Sequence, residues 1–127
     1  MDVTPDGIQI IKQGEGAWMT KYNGVYYLQY SVPGTQSRSH CDGVYTSNVP
    51  IGPFVFCPNS PINAKPCGFV TGMGHGCVFQ DLSSNYWKAD AVTILVTNML
   101  EYRLAVFPAG FDGGGILHCD TTLADFP

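Results

Sequence analysis

The sequence predicts an all-β fold built from antiparallel strands, and three observations favour it. Residue types typical of strands and turns are abundant, with 15 glycines, 9 prolines, 7 tyrosines and 7 phenylalanines. Asn23-Gly24 lies between two runs of strand-forming residues, which is a strong hairpin signal. A set of four strand-like segments is followed by a second such set further along the chain. The one stretch that could be read as a helix, residues 91–104, is rich in β-branched residues that favour a strand.

The first set of strands lies between residues 18 and 57. Asn23-Gly24 supplies the positive φ values of a type I′ turn, so the segments on either side of it form a predicted hairpin. Two shorter strands follow, separated by a turn at residues 50–53 that carries two prolines. The predicted strands are residues 18–22, 25–31, 43–47 and 54–57.

The second set follows a proline-rich connection. A second hairpin is predicted around residues 81–85, and a glycine-rich turn at residues 112–115 precedes the last strand. The predicted strands are residues 77–80, 86–91, 104–108 and 116–119.

The two sets superpose without a gap at an offset of 60 residues. The matched pairs are Gly16 with Gly76, Met19 with Phe79, Tyr26 with Tyr86, Tyr27 with Trp87, and Val44 with Leu104. A four-stranded antiparallel sheet that recurs at this period is the blade of a β-propeller. An eight-stranded β-sandwich fits the same length, so the pattern alone leaves both architectures open.

At the same offset Glu15 falls on His75, and each lies between two glycines. The first strand of every propeller blade lines the central channel, whose entrance is where ligands bind. Glu15 and His75 are therefore candidate site residues, since flanking glycines let a substrate approach the backbone closely. The alternative is that Glu15 is a solvated turn residue and His75 a structural histidine.

The composition excludes several classes of protein. Only 13% of the residues are charged and 13% are aromatic, whereas disordered chains have few aromatic residues and dense charge. The formal charge of −4 provides no basic surface for nucleic acid or an anionic membrane. No apolar run approaches the roughly 18 residues that a membrane-spanning helix requires. Asp2 and Asp6 stand where a signal peptide carries positive charge, so we expect none here.

Other titratable and sulfur-containing residues are assigned ordinary roles. Cysteine is among the most buried residue types, so Cys77 and Cys119 are predicted to be small buried hydrophobic residues, with one disulfide left open. The histidines lack metal-ligand spacing, so no protein-only zinc site is expected. Asp90 and Glu101 are candidates to face the channel. Turn or strand-edge positions are expected for the remaining acidic residues considered, Asp42, Asp81, Asp112 and Asp120.

Three segments resemble glycoside hydrolase family 43, whose members are five-bladed β-propellers acting on plant polysaccharides such as arabinan and xylan. Residues 15–28, E-G-A-W-M-T-K-Y-N-G-V-Y-Y-L, resemble the family's E-G-P-(aromatic or His)-x-x-K-x-(N/D)-G-x-Y-Y-L segment. Residues 44–54 resemble its S-x-S-P-x-G-P-(aromatic) strand and turn, and residues 72–76, G-M-G-H-G, resemble G-x-G-H-G. The resemblance covers about residues 12–120, and Ala17 replaces the usual proline.

The resemblance implies roles for three residues, and side-chain chemistry adds Trp18 as a fourth. Glu15 corresponds to the general acid of an inverting hydrolase, which needs a pKa raised by burial or by negative charge nearby. His75 and Arg103 correspond to residues at the sugar site, and Trp18 is expected to stack on a sugar face. Part of the family holds a hydrated calcium ion at the channel histidine, so calcium near His75 is implied as well. The family's general base and the Asp that tunes the acid come from blades that this chain does not carry.

These observations lead to one interpretation of the whole chain. Residues 1–127 are expected to be part of a propeller glycoside hydrolase domain, with blade-like repeats at about 15–60 and 75–121. The expected partners are a carbohydrate and either the missing blades or a second copy of the chain, and neither nucleic acid nor a membrane. The family resemblance implies a secreted or periplasmic protein. The alternative is a fragment that binds carbohydrate without turnover or is purely structural.

Overall fold

The computed structural model describes residues 2–3, 9–10, 15–32, 41–58, 72–93 and 102–120. His40, Cys67 and Glu101, and the side chains of Glu15 and Cys41, lie outside the described residues. Within the described ranges the elements are strands: β1 (Asp2–Val3), β2 (Gln9–Ile10), β3 (Glu15–Tyr22), β4 (Val25–Val32), β5 (Cys41–Ser47), β6 (Val55–Phe56), β7 (Gly72–Gln80), β8 (Tyr86–Thr93), β9 (Tyr102–Phe111) and β10 (Leu117–Cys119).

The long strands form two four-stranded antiparallel sheets. The first sheet has the order β3-β4-β5-β6, and the second sheet has the order β10-β9-β8-β7. Strands β1 and β2 pair separately. Each four-stranded sheet runs through consecutive strands, as in a propeller blade, whereas the strands of a sandwich commonly cross between sheets in Greek-key connections. The two predicted sets of strands are confirmed.

The hairpin of the first sheet confirms the prediction made from Asn23-Gly24. Their φ values are 50° and 80°, and Tyr22 pairs with Val25 across the turn. Positive φ at both central residues is the requirement of a type I′ turn, which matches the twist of the flanking strands.

Strand β7 begins at Gly72, five residues before the predicted start at residue 77. The pairing passes from Gly74 with Ala91 to Cys77 with Ala89, so an irregularity interrupts the ladder between them. A β-bulge of this kind breaks the two-residue alternation on which sequence patterns depend. The sequence pattern therefore does not reveal that the glycine-rich residues 72–76 belong to strand β7.

The core lies between the two sheets. Tyr27 and Val44 of the first sheet pack with Val78 and Leu117 of the second, and all four are buried. Full burial of such an aliphatic side chain contributes roughly 1.5–3 kcal/mol. An aromatic group extends this core, with the rings of Tyr22 and Phe111 stacked at 4.0 Å and the ring of Tyr86 edge-on to both. Val92 of β8 and Phe107 of β9 form a second buried cluster.

Candidate functional site

An open groove of about 550 Å³ lies where the first strands of the two sheets, β3 and β7, approach each other. It begins at Gly16, the residue after Glu15, and brings together three of the residues singled out in the sequence: Trp18, His75 and Arg103. The side chain of Glu15 is outside the described residues, so only its backbone position at the start of β3 is known.

Each of these two strands carries a β-bulge at the groove. In β3 the pairing skips between Glu15 and Trp18, as it does between Gly74 and Cys77 in β7. The bulges place Gly16 at φ 61° and His75 at φ 54°, the left-handed region that residues with a Cβ atom rarely adopt. Bulges next to a binding site redirect a side chain.

The predicted equivalence of Glu15 and His75 is wrong, as the positions of the two bulges show. Gly16 shares its conformation with His75, so Glu15 is equivalent to Gly74 and the offset in the first strands is 59 residues. The cause is the length of the second turn. Asp81 donates its backbone N–H to Asn85, which leaves three residues in this turn against two in the first. The offset therefore becomes 60 only after the turn.

The two bulges touch each other. A Cβ atom on Gly16 would lie 2.9 Å from both Cα and Cγ of His75. A distance this short requires one of the two strands to move, so the residue after Glu15 has to lack a side chain. The His75 side chain itself is exposed.

Trp18 and Arg103 reach the groove from different strands. The Trp18 indole N–H donates to the carbonyl oxygen of Val78 at 3.0 Å, which ties the ring to the second sheet while 43% of the residue stays exposed. Arg103 is exposed on β9 and pairs with Val92 of β8. The Trp18 ring is therefore held by its polar edge, and its face is available for an apolar contact.

A buried ion cluster lies behind the groove. Lys88 Nζ donates to both Asp42 Oδ2 and Asp90 Oδ1, and each of the three residues is at most 1% exposed. Burial by itself lowers the pKa of Lys88, but the two carboxylates outweigh it and raise the pKa above its ordinary value. Lys88 therefore stays charged.

This cluster corrects the interpretation of Asp42 as an ordinary strand-edge residue. Asp42 is fully buried and joins the first sheet to the second. Sequence reasoning did not single out Lys88. A usable signal was present, because Lys88 and Asp90 alternate with Trp87 and therefore lie on the face of β8 that carries buried Val92.

Hydrogen bonds connect the cluster to the β7 bulge. Ser31 Oγ donates to Asp42 Oδ1 at 2.6 Å and accepts the backbone N–H of His75. On the other side of the bulge, Gln29 Nε2 donates to the carbonyl oxygen of Gly76 at 2.7 Å. Gln29 is 1% exposed, and its Oε1 has no hydrogen-bond partner.

The described cysteines and histidines provide no cluster of metal ligands. Cys57, Cys77 and Cys119 carry free thiols, and burial raises the pKa of Cys119 to about 12, so its thiol stays protonated at neutral pH. Within the described ranges, no three His, Cys, Asp or Glu side chains converge. Calcium prefers six to eight oxygen ligands, and the Asp90 carboxylate is already paired with Lys88, so these groove residues do not fit a protein-built calcium site.

The described ranges of the chain hold no helix long and apolar enough to cross a membrane.

The chain is similar in sequence to a curated protein. No protein-family model matches the chain. The β-D-galactofuranosidase xynD of Aspergillus niger is 32% identical to it over 87 residues, which are 68% of this chain and 24% of the relative. The chain thus spans about a quarter of the length of the curated relative that it matches.

Solved structures of the same architecture match most of the chain. The endo-1,4-β-xylanase of Bacteroides thetaiotaomicron superposes with a TM-score of 0.76 at 24% identity, covering 88% of this chain and 40% of that protein. BlXynB, a family 43 glycoside hydrolase of Bacillus licheniformis, gives 0.75 at 20% identity over 89% of this chain and 23% of its own. The xylan β-1,4-xylosidase of Bacillus halodurans gives 0.74 at 21% identity, with 89% and 23% covered. Between the two architectures left open by the sequence pattern, these superpositions support the β-propeller: the chain has the fold of part of a propeller such as that of the family 43 glycoside hydrolase BlXynB.

Proposed function

We propose that this chain supplies the general-acid side of a site that hydrolyses O-glycosidic bonds in polysaccharides of the arabinan and xylan class. One observation carries the proposal. The two bulges meet at a groove that starts directly after Glu15 and has Trp18, His75 and Arg103 on its surface. The similarity to a galactofuranosidase and to xylan-degrading enzymes supports a carbohydrate as the ligand.

Glu15 is proposed as the general acid. Inverting hydrolysis needs one protonated carboxylic acid at the leaving oxygen and one carboxylate that activates water on the opposite side of the sugar. In this proposal the acid's proton moves to the glycosidic oxygen while the C–O bond breaks. The position of Glu15 next to Gly16 supports the role, because a residue without a side chain leaves room for a sugar beside the acid.

The other three residues are proposed to bind the sugar. Arg103 is exposed and presents several N–H donors, which suit the hydroxyl oxygens of a sugar. The ring face of Trp18 suits the apolar C–H face of a pyranose or furanose, since its polar N–H is already bonded to Val78. The imidazole of His75 provides one donor or acceptor between them.

The general base is proposed to lie outside this chain. Among the groove residues that the structure describes, Asp90 is the one carboxylate, and it is buried and paired with Lys88. A carboxylate in this environment is held by its counter-ion and is poorly placed to take a proton from water. This observation favours the second candidate function, a module that binds carbohydrate without turning it over.

The release of chromophore from aryl arabinofuranosides, xylosides and galactofuranosides tests the first function. Because the general base is proposed to lie outside this chain, formate is added to take its place as an external carboxylate. Under this condition we expect the purified chain to hydrolyse at least one of them and Glu15→Gln to lower kcat by about 100-fold or more, the scale of a lost general acid. The matched control is Asp120→Asn, a carboxyl-to-amide change at an exposed residue outside the groove. Equal rates for wild type and Glu15→Gln would remove Glu15 from the mechanism.

Binding measurements separate the remaining functions. A ligand that binds only the folded state raises the melting temperature. A rise with xylotriose or arabinotriose, without turnover of any aryl glycoside, would support the carbohydrate-binding module. Neither turnover nor a shift with either sugar would leave a purely structural fragment and overturn the proposal.

A further inference from the structure

We propose that Ser31, Asp42 and Lys88 are positioning residues, which fix the backbone of His75 so that its side chain is presented to a sugar in the groove. The part of this inference that concerns sugar binding rests on the proposed function. The part that concerns the backbone does not, and the two parts can be measured separately.

His75 needs such support because of its conformation. It is one of three described residues other than glycine with positive φ, and the other two, Asn23 and Ser84, lie in hairpin turns. A turn provides its own hydrogen bonds, whereas His75 lies in the middle of β7, where the bulge interrupts the ladder with β8. The N–H of His75 is satisfied instead by Ser31 of the first sheet.

The hydrogen bonds from Lys88 to His75 have a fixed direction. Lys88 carries donors alone, so Asp42 Oδ2 has to accept from it. Asp42 then accepts the single hydroxyl proton of Ser31 through its other oxygen. With this proton committed, the lone pairs of Ser31 Oγ are left to accept the His75 N–H. The His75 N–H therefore meets an acceptor whose own proton is already engaged by Asp42.

A second set of contacts holds the bulge on the C-terminal side of His75. Gln29 donates to the carbonyl oxygen of Gly76, and Asp90 Oδ1 lies 2.0 Å from the place that a Cβ atom of Gly76 would take. The bulge is thus held through the backbone on both sides, while the His75 imidazole is exposed at the groove. An alternative role for the same network is to join the two sheets and nothing more, and an experiment can distinguish the two roles.

Ser31→Ala is the informative change, because it removes one hydroxyl and keeps the ion cluster of Lys88 paired. Ser47→Ala is the matched control: Ser47 is also buried in the first sheet, but its hydroxyl accepts the N–H of Val49 at 3.1 Å and it does not line the groove. Ser31→Thr keeps the hydroxyl and serves as the conservative rescue.

Three quantities are compared in the full chain: amide hydrogen exchange at His75 by NMR, the dissociation constants for xylotriose and arabinotriose, and the melting temperature. We expect Ser31→Ala to speed exchange at His75 and to weaken sugar binding by about tenfold each, the factor that corresponds to about 1.4 kcal/mol for one hydrogen bond. The melting temperature should match that of Ser47→Ala, and Ser31→Thr should restore both other quantities.

Several outcomes would overturn the inference. Unchanged exchange at His75 in Ser31→Ala would show that the hydroxyl does not hold the backbone. Faster exchange with unchanged affinity would show that the held backbone does not matter for sugar binding, and equal effects of Ser47→Ala would reduce the network to a general contribution to stability. If the wild-type chain binds neither sugar, the proposed function and the sugar-binding part fail together, and the exchange data alone decide whether the backbone is held.

Discussion

At the scale of the residue, the groove depends on positions where a side chain cannot fit. Gly76 is the clearest case, because the space that its Cβ atom would take is occupied by the carbonyl oxygen of Ala89 and by Oδ1 of Asp90, each 2.0 Å away. The first of these atoms belongs to the backbone of the neighbouring strand and cannot rotate away. Asp90 in turn is held by its ion pair with Lys88.

Gly76→Ala is therefore expected to lower the free energy of unfolding by about 2–3 kcal/mol, the scale of an overpacked core, as measured by urea denaturation at pH 7. Gly113→Ala is the matched control, since a Cβ atom there meets nothing within 4 Å. The control should change the free energy of unfolding by no more than about 0.5 kcal/mol. Similar losses for both variants would contradict the close approach at Gly76.

At the scale of the element, the two hairpins use different chemistry for the same reversal. The first relies on the backbone freedom of Asn23-Gly24, whereas the second is organised by the carboxylate of Asp81. Asp81 accepts the backbone N–H groups of Ser83 and Asn85 and the indole N–H of Trp87. The indole bond first, and then the backbone bonds, lower the pKa of Asp81 below its ordinary value.

The sign of the resulting pH dependence follows from this lowered pKa. The stabilisation that Asp81 contributes is present above its unfolded-state pKa of 3.8 and is lost as the pH falls through the lower folded-state value. The indole N–H resonance of Trp87 should therefore titrate with a midpoint below pH 3.8, measured by NMR. The titration should vanish in Asp81→Asn. Asp112 provides the control, because its carboxylate accepts backbone N–H groups of its own turn, and the titration should persist in Asp112→Asn. A Trp87 midpoint above pH 3.8 would contradict this assignment.

At the scale of the whole molecule, the second sheet has an apolar face that the first sheet does not cover. Phe79, Trp87 and Pro108 form a row across β7, β8 and β9 on this face, and Leu104 and Val106 continue it. Phe79, Leu104 and Val106 are exposed, Leu104 by as much as 77%. In a propeller such a face packs against the next blade, and large exposed apolar patches on isolated proteins promote association.

The chain is accordingly expected to self-associate, with an average mass in sedimentation equilibrium that rises with concentration. Phe79→Lys should weaken this association by about tenfold or more, because a charge would be buried in the contact. Leu82→Lys provides the control, since Leu82 is fully exposed in the second turn and away from the face. A strictly monomeric wild type, or equal effects of the two variants, would refute this expectation.

The hairpins and the order of the strands could be predicted from the sequence, because turn chemistry is local. Asn23-Gly24 favours a type I′ turn because both residues readily adopt positive φ. The ion cluster could not be predicted in the same way. Asp42 and Lys88 are separated by 46 residues and meet only because the two sheets pack face to face. The local context of Asp42 resembles that of any exposed strand end, and nothing nearby in the sequence indicates its partner.

The groove residues were predicted from short motifs that resemble a known family, whereas the 60-residue repeat predicted less about them. Trp18, His75 and Arg103 do line one groove. The equivalence drawn between Glu15 and His75 was wrong by one residue, because the turn that adds this residue lies after the motif and changes the offset only downstream. A constant offset cannot represent two turns of different length.

The contact between the two bulges has a consequence for any attempt to redesign the groove. A Cβ atom on Gly16 would lie 2.9 Å from the Cα atom of His75, which any residue at position 75 would keep. Removing the imidazole, as in His75→Gly, therefore leaves position 16 restricted to glycine. A library for this groove can vary the side chain at position 75 but has to keep Gly16, so the two facing positions are not interchangeable in design.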